Sequence, residues 1–361
     1  MSLEARLRER IQREGPISFY EWMKSALYDE REGYYSTARV RQGRGGDYRT
    51  APETSPLFAA TFAGYFARLF AELGSPPQFT IVEAGAGTGD FAQGVLATLK
   101  LEHPQVFDRT RYVVDELSLP SRERCALRLA AFGDHVSVRR SSNYEADAIT
   151  GVIFSNELID AFPVNRVVMR QGRLRQLFVG LDRSQFVWRE RELEKPIAAY
   201  CDRIDLNLRE GQIFEINLEA EAFIDRAAAS LERGQVVTVD YGAERTELLN
   251  LLERPQGTLR AFRSHQFVDD VLASPGQQDL TTTIDWTQIR EAGKRCGLRT
   301  VQFEQLNKFL INEGLLDRLA QIAGSVTDSA EALRLTTSAR ELIMPGAMAS
   351  SFQVLVQEKS G

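Results

Sequence analysis

Apolar positions recur along this chain with two different periods, and the switches between them mark out its elements. Leu3, Leu7 and Ile11 repeat at helical spacing among charges of both signs, which predicts a surface helix. Across residues 57–73, Phe58, Phe62, Tyr65, Phe66, Leu69 and Phe70 share one helical face, an aromatic stripe suited to a core. Short apolar runs then follow at 79–84, 111–116, 135–139, 151–155 and 235–240, separated by helix-like segments. Strands alternating with helices predict an α/β fold with a doubly wound, mostly parallel sheet and right-handed crossovers.

Two stretches interrupt that rhythm. Residues 164–188 alternate apolar and polar positions across Gln171-Gly172 and Leu181-Asp182, which predicts an inserted β-meander. Residues 242–279 carry many turn formers and little periodicity, which predicts an extended loop over the carboxyl edge of the sheet. Arg39 to Arg49 is rich in glycine and arginine and is expected as a loop. Helices are expected at 285–296 and 306–323, and a last strand at 352–356 that can complete the same sheet. The resulting plan is an N-terminal helical and loop extension over 1–75. One elaborated domain follows over 76–361, with insertions at about 164–190 and 242–283.

Composition narrows the functional classes. With 43% hydrophobic and 26% charged residues, the 361-residue chain has the balance of an ordinary globular protein. A net charge of -6 with scattered basic residues argues against a nucleic-acid partner. Cys125, Cys201 and Cys296 are too far apart for a zinc clip and fit reduced thiols. No run approaches the roughly 20 apolar residues of a membrane span. The N-terminus has neither an apolar signal core nor the acid-poor character of a transit peptide, so a cytoplasmic location is expected. Nothing in the sequence defines an oligomeric interface.

The chemistry concentrates at strand ends. Glu83-Ala84-Gly85-Ala86-Gly87-Thr88-Gly89 follows the first apolar strand and opens a helix, so its glycines allow a sharp turn and close ligand approach to main-chain N–H groups. The Gly85, Gly87, Gly89 spacing differs from the GxGxxG of dinucleotide sites. Glu83, two residues before the first glycine, suits a ligand with an ammonium group. S-adenosylmethionine has that group and no phosphate, and is the expected cofactor. Glu116, preferred over Asp115 at the end of the second strand, is expected to hold the ribose hydroxyls. The fourth strand ends in Ser155-Asn156-Glu157-Leu158-Ile159-Asp160, at the edge where ligands bind in open α/β sheets. Glu157 is expected to fix a cationic acceptor, with help from Asn156 or Asp160, while Ser155 lies on the cofactor side. Asp240 and Tyr241, ending the fifth strand, and His265, the only histidine of the long loop, are candidate acceptor contacts.

Taken together, these motifs resemble the MidA-like methyltransferases, whose mitochondrial members assist assembly of respiratory complex I by symmetric dimethylation of a protein arginine. The resemblance runs through Gly46-Asp47-Tyr48, the glycine turn, Glu116-Leu117-Ser118, the segment from Ser155 to Val164, Val239-Asp240-Tyr241-Gly242, Gly257-Thr258-Leu259-Arg260, Pro275-Gly276 and Asp279-Leu280-Thr281. It implies a Rossmann-like class I methyltransferase core that uses S-adenosylmethionine without a metal, and it adds Asp47 to the residues around the cofactor. It also implies protein arginine as the acceptor. A small-molecule O- or N-methyltransferase and a cofactor-binding assembly factor without turnover are the alternatives. Tyr48 stands where the family usually has Phe, and Ala349 where it usually has Gly.

Overall fold

The computed structural model describes residues 1–37, 56–140, 148–250, 255–263, 266–325, 329–344 and 351–361. The chain divides into two compact units. The first takes residues 1–41, 159–222 and 243–288, and the second takes 42–158, 223–242 and 289–361. The stretch expected as an N-terminal extension over 1–75 is therefore shared between them. The expected loop from Arg39 to Arg49 lies outside the described residues.

The second unit is built on the expected sheet. Its strands, numbered along the chain, are β1 Phe79–Ala84, β2 Thr110–Asp115, β3 Val136–Arg139, β4 Ile149–Asn156, β5 Leu231–Ala243, β6 Arg299–Gln305 and β7 Phe352–Lys359. Their order across the sheet is β6-β7-β5-β4-β1-β2-β3. The five strands from β5 to β3 are parallel, and β7 runs antiparallel to both β5 and β6. Every residue of β1 is buried, as a central parallel strand covered on both faces requires, which is why it reads as a mostly apolar run with a single acid.

Helix Pro56–Glu72 carries the aromatic stripe, and Phe58, Phe62 and Phe66 are each fully buried. Phe62 meets Phe154 of β4 edge-on at 5.0 Å and stacks on Phe309 at 5.3 Å. Phe91, from the helix Asp90–Glu102, stacks on Phe154 at 4.4 Å. Burying one such ring fully is worth roughly 1.5–3 kcal/mol, so this cluster anchors the helix against the sheet. The expected C-terminal helix over 306–323 is instead two, Leu306–Asn312 and Leu315–Ser325, because Gly314 between them adopts a left-handed φ of 86°.

The first unit contains the meander. Asn165–Arg170, Arg173–Asp182 and Gln185–Arg191 pair antiparallel in succession, and Ile213–Ile216 pairs with the first of them. The first turn falls at Gln171-Gly172 as expected, both with positive φ. The second falls at Arg183-Ser184 rather than Leu181-Asp182, since Arg183 is the residue with left-handed φ. The stretch expected as an extended loop is also more ordered. It holds the helix Arg245–Asn250 and a three-stranded antiparallel sheet of Arg260–Arg263, Gln266–Val268 and Asp279–Thr281. These strands are too short for their pairing to leave a periodic signal.

Candidate functional site

Parallel register levels the strand ends of the second unit. Ala84 of β1 pairs with Asp115 of β2 on one side and Ser155 of β4 on the other, and Asn156 pairs with Val239 of β5. The chain runs outward from β1 through β2 and β3, then returns to the other side of β1 as β4, so the strand order reverses beside β1. Ligands of open α/β sheets bind at that reversal.

The glycine turn leaves β1 there. Gly85, Gly87 and Gly89 all have positive φ, and Gly89 caps helix Asp90–Glu102. A Cβ on Gly85 would come within 2.8 Å of Leu158 Cδ1, and one on Gly89 within 3.1 Å of Cys125 Sγ. Both backbone angle and space therefore call for glycine. The Cys125 thiol donates to the Gly87 carbonyl at 3.3 Å, bracing the turn from beneath.

Glu116 is bound to the same turn. Its Oε2 accepts from Gly87 N at 2.9 Å and its Oε1 from Ser118 N at 2.7 Å. Desolvation raises its carboxyl above the usual carboxylate range, while these two N–H groups oppose the rise. Arg122 holds the segment after β2 by donating to the Glu116 and Leu117 carbonyls at 2.9 and 2.5 Å. Leu117 and Leu119 stay exposed beside it. Glu83 is buried on β1, and its Oε2 accepts from Tyr112 Oη at 2.8 Å. Burial pushes the Glu83 carboxyl up to about 8, with the Tyr112 hydrogen bond acting in the opposite sense.

At the end of β4, Ser155 is buried and its Oγ has no hydrogen-bond partner among the described residues. Asn156 Oδ1 is likewise buried and without one, while Asn156 Nδ2 donates to Glu157 Oε1 at 3.1 Å. Glu157 has a left-handed φ of 49°, and its amide donates to the Val239 carbonyl at 2.9 Å. On β5, Asp240 is fully buried and accepts from Tyr241 N at 2.8 Å. The Tyr241 ring meets Phe352 edge-on at 5.6 Å.

Thus Glu83, Gly85, Gly87, Gly89, Glu116, Ser155, Asn156, Glu157, Asp240 and Tyr241 belong to the second unit, at the carboxyl ends of β1, β2, β4 and β5. Asp160 belongs to the first unit, buried, with its carbonyl accepting from Thr282 N at 2.9 Å. Asp47 and His265 lie outside the described residues. Tyr112, Cys125 and Leu158 are contacts that sequence reasoning did not single out. Of these, Tyr112 left a signal, as a polar-tipped residue inside an apolar run.

A glycine turn leaving the central strand of a parallel sheet, a carboxylate tied to that turn and an antiparallel strand closing one side define a Rossmann-like methyltransferase core. The Methyltransf_28 family of S-adenosyl-L-methionine-dependent methyltransferases matches residues 61–304, and the chain belongs to this family. Among curated proteins it is similar to the mitochondrial protein arginine methyltransferase NDUFAF7 of Homo sapiens, at 24% identity over 95% of this chain and 80% of that protein. It is also similar to the Drosophila melanogaster homolog, at 26% over 82% of this chain and 71% of that one. A Burkholderia thailandensis protein solved with S-adenosyl-homocysteine superposes with a TM-score of 0.87 at 31% identity, covering 99% of this chain and 92% of that one.

The chain is a methyltransferase whose cofactor is S-adenosylmethionine. The residues present fit that group. The turn is held to glycine at 85 and 89, which leaves its backbone bare, the Ser155 hydroxyl is a buried polar atom without a partner among the described residues, and Glu116 presents acceptor oxygens beside the turn. The expected cytoplasmic location is corrected by these comparisons, because the curated relatives are mitochondrial proteins. Among the described residues, no helix is long and apolar enough to cross a membrane.

Proposed function

We propose that this methyltransferase acts on an arginine guanidinium of a protein substrate, with Glu157 as the residue that holds the acceptor. The observation that carries this reading is the backbone of Glu157. A left-handed φ costs a non-glycine residue roughly 1–2 kcal/mol, and such strain persists where surrounding contacts hold a side chain in a working position. Here the Glu157 amide is bound to β5 and its carboxylate to Asn156.

The donor set agrees with a cationic acceptor. One Asn156 N–H is taken by Glu157, and the Asn156 Oδ1 and the Glu157 carboxylate place acceptor oxygens side by side. A guanidinium is all donor and no acceptor, so it matches them in a way that a carboxylate or phosphate would not. The curated relatives, named as protein arginine methyltransferases, support the same acceptor.

When bound, the cofactor supplies a methyl group on a sulfonium that is already a good leaving group. The work left to the protein is orientation and exclusion of water. Glu157 accepts N–H bonds from the guanidinium, turns one nitrogen toward the methyl and takes up the proton that nitrogen releases. Asn156 keeps the Glu157 carboxylate in place. Asp240 and Tyr241, at the end of β5, shape the acceptor side. Of the two helpers expected for Glu157, Asn156 has a hydrogen bond to it that supports the role.

Glu157→Gln tests the reading. Transfer of labelled methyl to protein should fall at least 100-fold, while calorimetric affinity for S-adenosyl-homocysteine stays within about twofold, since removing a group used mainly in the transition state lowers turnover rather than cofactor binding. Full turnover in the variant, or label found only in low-mass products, would remove this assignment.

A further inference from the structure

Glu83 stands on the innermost strand at 5% exposure, where an ionised carboxylate is costly unless something compensates it. Tyr112, wholly buried on β2, donates to its Oε2. The second oxygen, Oε1, has no hydrogen-bond partner among the described residues, and no basic side chain there pairs with the carboxyl. The other titratable groups facing this pair are Glu116 at the end of β2, Asp90 opening helix Asp90–Glu102, and Cys125 on helix Leu119–Leu129. Asp90 is itself paired with Arg128. Among the described residues no basic side chain offsets the Glu83 charge, and an ammonium on the ligand would supply a compensating cation. The cofactor carries an ammonium and binds at the turn that begins two residues later.

We propose that Tyr112 is a positioning residue for cofactor uptake, orienting Glu83 so that Oε1 faces the ammonium, and that the Glu83 carboxyl releases its proton as the cofactor enters. The Glu83 O–H bond breaks, its proton leaves to bulk solvent, and the resulting oxygen anion accepts an N–H from the ammonium. Burial favours the protonated form in the free protein, and the Tyr112 hydrogen bond favours the ionised form that the complex needs. Tyr112 therefore lowers the cost of reaching the binding-competent state. That is a role distinct from filling the core.

The test is calorimetry of S-adenosyl-homocysteine binding to the full chain, near pH 7, in phosphate and in Tris. The two buffers differ in ionisation enthalpy, so the difference in observed heat counts protons. About one proton should be released by the wild type and none by Glu83→Gln. Wild-type affinity should rise about tenfold per pH unit from pH 6 and level off near pH 8. Tyr112→Phe should bind about tenfold more weakly at pH 7 and recover as the pH is raised toward 8.5. A loss equal at every pH would mean that Tyr112 only packs, and would overturn its positioning role. Zero proton release by the wild type, which needs no variant to measure, would overturn the coupling. Absence of S-adenosyl-homocysteine binding would remove the role of the turn and the proposal with it.

Discussion

Replacing Glu83 by glutamine in the cofactor-free protein isolates the energetic consequence of burying an acid on the central strand. Desolvation pushes this carboxyl from its ordinary 4.5 up to about 8. A tenfold change in proton affinity is worth about 1.36 kcal/mol, so complete ionisation weakens the fold by on the order of 5 kcal/mol. The folded carboxyl holds its proton more tightly than the unfolded one. The contribution to stability is therefore full below about pH 4.5 and is lost as the pH rises through about 8. Glutamine keeps the shape and can still accept from Tyr112, but it cannot ionise. Thermal unfolding of both proteins from pH 5 to pH 9, without cofactor, provides the assay, because subtracting one curve from the other cancels the remaining titrating groups. The gap should move in the variant's favour by several °C between pH 5 and pH 9, given roughly 2–4 °C per kcal/mol for a domain of 150–250 residues. Parallel curves across that range would refute the reasoning.

Glu116→Gln keeps the size of the side chain but leaves one acceptor oxygen where two backbone N–H groups bind, so affinity for S-adenosyl-homocysteine should fall about 10- to 100-fold by calorimetry and the melting temperature should drop as well. Gly85→Ala should destabilise the turn by about 1–2 kcal/mol through its φ of 73° alone, and the contact with Leu158 should add to that. Adding Leu158→Ala should relieve the contact but not the backbone strain, so the double variant should regain part of the cofactor affinity that Gly85→Ala loses. Equal affinity in the single and double variants would show that Leu158 does not press on the turn.

How much of this was legible in the sequence depended on whether a residue's role is local. β1 could be read because both its faces are covered, which leaves a mostly apolar run with Thr80 and Glu83 as its only polar members. Once the strands were placed, Glu116, Ser155, Asn156, Glu157, Asp240 and Tyr241 followed, since the ends of parallel strands meet at one edge. The Glu83–Tyr112 bond was hidden because it depends on the register that pairs Ile81 with Tyr112. β6 went unread because, as an edge strand, it is polar and half-exposed along most of its length. The two compact units were also not apparent. Each draws on three separate stretches of chain, and local periodicity carries no record of which stretches fold together.

Methyl transfer to a protein arginine can be read from the chemistry of the product. Lysate from cells lacking the protein would be incubated with purified protein and methyl-deuterated S-adenosylmethionine, hydrolysed to amino acids and analysed by mass spectrometry. Deuterated methylarginine is expected in the protein fraction with the wild type and is absent when Glu157→Gln replaces it. Deuterium confined to another side chain or to small molecules, with arginine unlabelled, would contradict transfer to arginine.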